Sequence, residues 1–270
     1  MHKFKRFSVM LTLAAMAALT MAALLPTSAA VAHDMWATAD DPTVGQPLKA
    51  VIGYGHHFPT LEDIPAEELP FFQVWAVGPK GKIELSQGSP NYSFTSKDNL
   101  EKATYLVISD VKPIYWSRTP SGDWSMKRKD ETPGAAECGY YIEGAKGIVS
   151  VDGDVTPSLA VKAQGLPIEI VPEVHPGTVK PGQKLVLQVL FQGKPLPGAE
   201  VKGRYDAFSS LASDTAQAFV DTTDQKGQVA FVPLAAGSWM LTARNKAAYE
   251  GPGTCDATDY GTNLFFKISQ

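Results

Sequence analysis

The 270-residue chain sets 24 Lys+Arg against 28 Asp+Glu, a formal net charge of −4, and contains five histidines and two cysteines. An acidic field of this kind disfavours nucleic acid as a partner and mildly favours cations. With 23 Gly, 20 Pro and almost no long 3.6-residue periodicity, the pattern is β throughout.

Residues 1–32 read as a secretory signal peptide. His2, Lys3, Lys5 and Arg6 form a basic start, an apolar run extends from Phe7 to Leu25, and Ala30-Val31-Ala32 supplies a small-x-small cleavage site. About 20 apolar residues can also span a bilayer, so a retained anchor is the competing reading. The cleavage site placed directly after the run favours removal. Cleavage takes three of the 24 cations and none of the 28 carboxylates, so the net charge moves from −4 to −7. No later stretch approaches membrane-spanning length, so a periplasmic protein without a membrane span and with His33 as its first residue is expected.

Two β-sandwich-like domains are expected in the mature chain, 33–165 and 166–270. In the first, strands are predicted over Pro47–Tyr54, Phe72–Val77, Ala103–Ile108 and Gly147–Val151. Gly78-Pro79-Lys80-Gly81 makes a turn, Thr60–Leu69 a single helical turn, and Tyr115–Glu137 a long loop. Gly165–Val174 leads into the second domain, where alternation is cleaner. Strands are predicted over Lys184–Phe191, Ala199–Tyr205, Gln228–Val232, Ser238–Arg244 and Asn263–Ile268, separated by Pro- and Gly-rich turns. Short strands at this spacing imply an immunoglobulin- or transthyretin-like sandwich. Cys138 and Cys255 are expected to form one structural disulfide in an oxidising compartment, the alternative being a pair of metal thiolates.

Histidine is scarce in the mature chain, which holds His33, His56, His57 and His175. A processed N-terminal His33 offers its α-amine and its imidazole Nδ1 to one ion, closing a chelate ring. The amine titrates near 7.7–8.0 in its reference state, so a metal ion displaces its proton at about neutral pH. His56 and His57 lie in Gly53-Tyr54-Gly55-His56-His57-Phe58-Pro59, at the end of a predicted strand. Adjacent residues on extended backbone point to opposite sides, so one of the pair is expected to reach the ion held by His33. Imidazole and amine donors suit Ni²⁺, Co²⁺ or Cu²⁺. Asp34, Met35, Glu62 and Asp63 are supplementary donors by position, and His175 reads as structural. Tyr115, Trp116 and Trp124 border the long loop and read as packing residues, with stacking on a sugar or peptide as the alternative. No G-x-S-x-G, Walker or H-E-x-x-H element occurs, so a nucleophilic enzyme finds no support.

The start His33-Asp34-Met35-Trp36, the segment Gly55–Pro59, "PIYWSRTPSGDW" at Pro113–Trp124 and the C-terminal "TDQKGQVAFVPLAAGSWMLTA" together resemble the NikM-like family. These are periplasmic components associated with nickel and cobalt uptake. The resemblance spans nearly the whole mature chain and is most telling at the N-terminal His and the G-H-x-F-P segment. It implies a non-enzymatic periplasmic β-protein that captures Ni²⁺ or Co²⁺ through His33 and His56 and delivers it to a separate membrane transporter. His57 stands where the resemblance implies no consistent histidine. Two other classes remain open on the residues alone. One is copper handling, including a copper-dependent oxidase with a histidine-brace-like donor set. The other is a structural or interaction module that binds no metal.

Overall fold

The computed structural model describes residues 34–209 and 216–270. The expected signal peptide and His33 lie outside the described residues. Those described form sixteen strands, two single-turn helices at Pro157–Ala160 and Asp206–Ser209, and short 3₁₀ turns. The fold is all-β, as the composition implied. No described helix is long and apolar enough to cross a membrane.

In chain order the first half holds β1 (Asp34–Ala39), β2 (Pro47–Gly55), β3 (Phe72–Gly78), β4 (Gly81–Gln87), β5 (Ser93–Asn99), β6 (Thr104–Arg118), β7 (Trp124–Ser125) and β8 (Glu137–Ser150). The second holds β9 (Ile168–Pro172), β10 (Leu185–Phe191), β11 (Lys194–Pro195), β12 (Glu200–Tyr205), β13 (Phe219–Thr222), β14 (Gln228–Phe231), β15 (Gly237–Ala247) and β16 (Ala257–Ile268). A 12-stranded sheet runs β1-β2-β5-β4-β3-β6-β8-β16-β15-β12-β13, with β7 on β6. A 4-stranded sheet of β9, β10, β11 and β14 lies apart from it.

The large sheet crosses the boundary expected at 165/166. Strand β8 pairs in parallel with β16, Gly139 opposite Ala257 through Gly147 opposite Phe265, and the described residues form one compact unit. Turn residues mark where the chain bends but carry no information about which strands pair.

The central strands are buried on both faces, so β6 reads as the near-continuous apolar run Tyr105-Leu106-Val107-Ile108 rather than an alternation. Leu106, Ile108, Ile148, Leu264 and Phe266 pack with Ile168, Ile170, Leu187 and Val189 of the small sheet. Tyr105, Val107, Ala145 and Val149 point the other way, into a core with Met35, Ala37, Leu48, Ala50 and Ile52 of β1 and β2. The large sheet therefore folds over until β1 lies across β8. There the backbones approach so closely that a Cβ on Gly147 would sit 1.9 Å from the Ala37 carbonyl oxygen, and only glycine fits.

Two predicted strands are longer than expected. Strand β6 continues through Pro113-Ile114-Tyr115-Trp116 to Arg118, and β8 begins at Glu137, so the long loop shrinks to residues 119–136. The ladder tolerates Pro113 because the register shifts between Val111 and Ile114. Tyr115 stacks on Tyr140 at 4.5 Å between ring centroids, and its hydroxyl meets that of Tyr249 at 2.9 Å. Trp124 meets Trp116 edge-on at 6.3 Å. These rings pack on one another. Cys138 and Cys255 form a disulfide at the head of the β8–β16 ladder.

Candidate functional site

The histidine-bearing segment is built on the first hairpin. Strands β1 and β2 pair antiparallel with Asp34 opposite Gly55, Trp36 opposite Gly53 and Ala39 opposite Ala50. Glycine at 53 is required by its partner, because the Trp36 indole occupies the place of a side chain there, 1.8 Å from where a Cβ would stand. Gly55 has φ +150, and a Cβ on it would come within 2.6 Å of Glu62 Oε1. That carboxylate instead accepts the His56 backbone N–H at 3.0 Å.

Three residues later Phe58 is fully buried, meeting Trp36 edge-on at 5.2 Å and Phe265 at 6.2 Å, with Met240 completing the cluster. Burying a phenylalanine contributes about 1.5–3 kcal/mol, and here it pins the loop onto β15 and β16. His56 and His57 are thereby held between two fixed points, the end of β2 and the Phe58 anchor. The His57 carbonyl accepts the Thr60 N–H at 2.6 Å and the Tyr54 carbonyl the Glu62 N–H at 3.1 Å, closing the loop. His56 is half-buried with Nδ1 3.6 Å from Glu62 Oε1, whereas His57 is exposed.

The leading end of β1 is bound to the sheet beneath it. Asp34 Oδ2 accepts from Arg204 Nη1 at 3.0 Å, and Asn263 Nδ2 donates to the Met35 carbonyl at 2.6 Å. Nearby Arg244 donates to Glu143 at 2.8 Å. Burial pushes the Asp34 carboxyl above the usual carboxylate range, while Arg204 and Arg244 pull it back. Behind the loop, the Tyr54 hydroxyl donates to Glu68 at 2.5 Å. Burial and that hydrogen bond raise the Tyr54 phenol strongly, and burial raises Glu68. The pair stands behind the histidine loop and acts as scaffold.

Of the supplementary donors expected from position, Asp34 is in an ion pair with Arg204. Met35 is buried, its sulfur accepting from Ser109 Oγ at 3.5 Å. Glu62 stands beside His56, and Asp63 is exposed. No group of three or more His, Cys, Asp or Glu side chains able to hold a metal ion occurs among the described residues. Arg204, Arg244, Glu143 and Asn263 gave no signal in the sequence, since they reach this corner from strands more than a hundred residues downstream of Asp34.

His175 lies elsewhere. It is 2% exposed and caps the turn Pro176–Thr178, its Nδ1 accepting the Gly177 N–H at 3.0 Å. Its Nε2 is buried and finds no partner among the described residues. Burial depresses its basicity, opposed by Asp154. A base whose folded-state pKa lies below the unfolded value contributes stability that is intact above the ordinary histidine pKa of about 6.5 and lost as pH falls below it. His175→Asn retains an acceptor for Gly177 and cannot titrate. Its stability is expected to fall less steeply than that of the wild type between about pH 7 and 5 in urea melts. Equal slopes would show that His175 does not drive the loss.

Taken together, the fold and this corner define a disulfide-bridged all-β protein with a histidine loop at the end of its first hairpin. The chain belongs to the DUF4198 family, a domain of unknown function, whose model matches residues 30–247. It is also similar to a Haemophilus influenzae protein described as uncharacterized, 28% identical over 217 residues covering 80% of this chain and 82% of that one. Among solved structures it is similar to the D0-D1 domain of Intimin, with 14% identity, 85% of this chain and 96% of that chain covered, and a TM-score of 0.21. Sidekick-1 immunoglobulin domains 1-5 follow with 12% identity, 90% and 40% coverage and a TM-score of 0.19. Superpositions this loose carry nothing about function.

Proposed function

We propose that the protein is a periplasmic, non-enzymatic metal-capture protein that binds Ni²⁺ or Co²⁺ and delivers it to a separate membrane transporter. The ion is held by the α-amine and imidazole of the processed His33 and by His56, with His57 at the exposed margin. The register of the first hairpin supports this reading. Asp34 is opposite Gly55, and His33 and His56 are the next residue outward on each chain. Each Cα lies one peptide, about 3.8 Å, beyond a paired position, and paired antiparallel Cα atoms are about 4.5–5.5 Å apart. This pairing supports His33 and His56 as ligands of one ion. His33 is indispensable to the proposal, because the described residues alone supply too few donors. Nitrogen donors bind Cu²⁺ more tightly than Ni²⁺ or Co²⁺, so selection among these ions rests on supply in the compartment.

The test is calorimetric titration of the secreted, mass-verified mature protein with Ni²⁺, Co²⁺ and Cu²⁺. Wild type is expected to bind one ion. One alanine inserted before His33 displaces the amine and removes no side chain. That insertion and His56→Ala are each expected to weaken binding about a hundredfold, roughly 2.7 kcal/mol. Binding that is absent, or indifferent to the insertion, would overturn the proposal.

A further inference from the structure

Strand β1 is an edge strand of the large sheet, and the first residues of a domain fray unless they are tied down. Its leading end is tied by side chains from the far half of the chain. Asn263, 7% exposed, donates to the Met35 carbonyl and accepts from Thr242 Oγ1 at 2.5 Å, so its amide is oriented by β15 as well as by β1. Arg204 lies between two acceptors. One is Asp34 Oδ2 at 3.0 Å; the other is the Gln217 amide oxygen, 2.8 and 3.0 Å from Nη2 and Nε with that amide turned to accept. The ion pair is largely buried, its side chains 11% and 18% exposed, and the planar guanidinium serves both acceptors at fixed angles.

We infer that Arg204 and Asn263 are positioning residues for the N-terminal metal site proposed above, on which reading this inference rests. They touch no ion. They hold Asp34 and Met35 in register with Gly55 and Tyr54, at the His56 end of β2. Asp34 thereby serves as an anchor and not as a ligand, which leaves nitrogen donors to define the site. A chelate formed by an ordered terminus binds more tightly than one that must first be ordered. Supporting contacts of this kind carry about 10–100-fold in metal affinity.

The test uses the secreted mature protein with Arg204→Met, Asp34→Asn, the double variant, and Ile170→Val as a mild destabilisation in the opposite core. Hydrogen exchange of the Asp34–Ala39 amides and calorimetric titration with Ni²⁺ and Cu²⁺ are the readouts. Arg204→Met and Asp34→Asn are each expected to speed exchange in β1 and to weaken binding about tenfold. The double variant is expected to be no worse than Arg204→Met alone, because that change already removes the Arg204–Asp34 contact that Asp34→Asn weakens. Ile170→Val is expected to leave both readouts unchanged. Unaltered β1 exchange in the two single variants, or an equal affinity loss in Ile170→Val, would overturn the inference. Wild type that binds neither ion would overturn the proposed function instead, and the exchange data would still decide whether Arg204 holds the terminus.

Discussion

Replacing Glu169 with leucine is expected to destabilise the protein by about 3–5 kcal/mol, read as a lowered urea midpoint. Lys146 of β8 and Glu169 of β9 form an ion pair with Nζ 2.5 Å from Oε1, both side chains essentially inaccessible at 1% and 2%. Glu169 also accepts the Gln164 N–H at 2.9 Å and the Gly165 N–H at 3.1 Å. Its removal therefore strands a buried ammonium and two backbone donors together. Burial already lowers the Lys146 pKa, with Glu169 opposing it, so the lone lysine would shed its proton or drag water inward. The pair itself adds little net stability, because desolvating two charges offsets their attraction. The double change Lys146→Met/Glu169→Gln removes both charges and keeps an acceptor for the two amides. It is expected to recover to within about 1–2 kcal/mol of wild type. Double-variant stability no better than that of Glu169→Leu would show that the pair contributes net attraction, and that this reasoning is wrong for this core.

Converting both Cys138 and Cys255 to serine is expected to cost about 2–5 kcal/mol, or roughly 2–4 °C of melting temperature per kcal/mol. The bridge closes a loop of 117 residues and sits one residue before Gly139, where the parallel β8–β16 ladder begins. A parallel pair is not joined by a tight hairpin, so nothing local sets where it starts. Asp256 reinforces the junction, accepting the Cys138 N–H at 2.9 Å and pairing with Lys129 at 2.8 Å. Residues 126–137 dock here through Lys129 and Thr254, whose N–H and carbonyl are matched to Asp130 and the Lys129 N–H. Melting curves with and without reductant give the check. An unchanged midpoint in the serine variant would mean that the ladder and these hydrogen bonds hold the junction without the bridge.

The amino-acid sequence by itself determined what local chemistry decides. Strand positions at 47–55, 72–78, 185–191 and 228–231 follow from apolar residues bounded by Gly and Pro, and the all-β class follows from their number. The disulfide was expected from the chain's two cysteines, and Cys138 and Cys255 are bridged. The histidine loop was legible as residue types, a His pair after a Gly-rich strand end.

Tertiary structure decided what depends on pairing. Strand β1 carries no strong alternation, since it is sandwiched between β2 and β8 and buries Met35, Trp36 and Ala37 in succession. It therefore passed unnoticed, and with it the register that sets Asp34 opposite Gly55. Lys146 and Glu169 look like solvated charges until two sheets close over them. Arg204 and Asn263 look unremarkable until Asp34 and Met35, about 170 and 228 residues away, arrive beside them. Periodicity reports which side of a strand avoids water. It does not report which distant strand will cover that side, because that choice belongs to the packing of the whole chain.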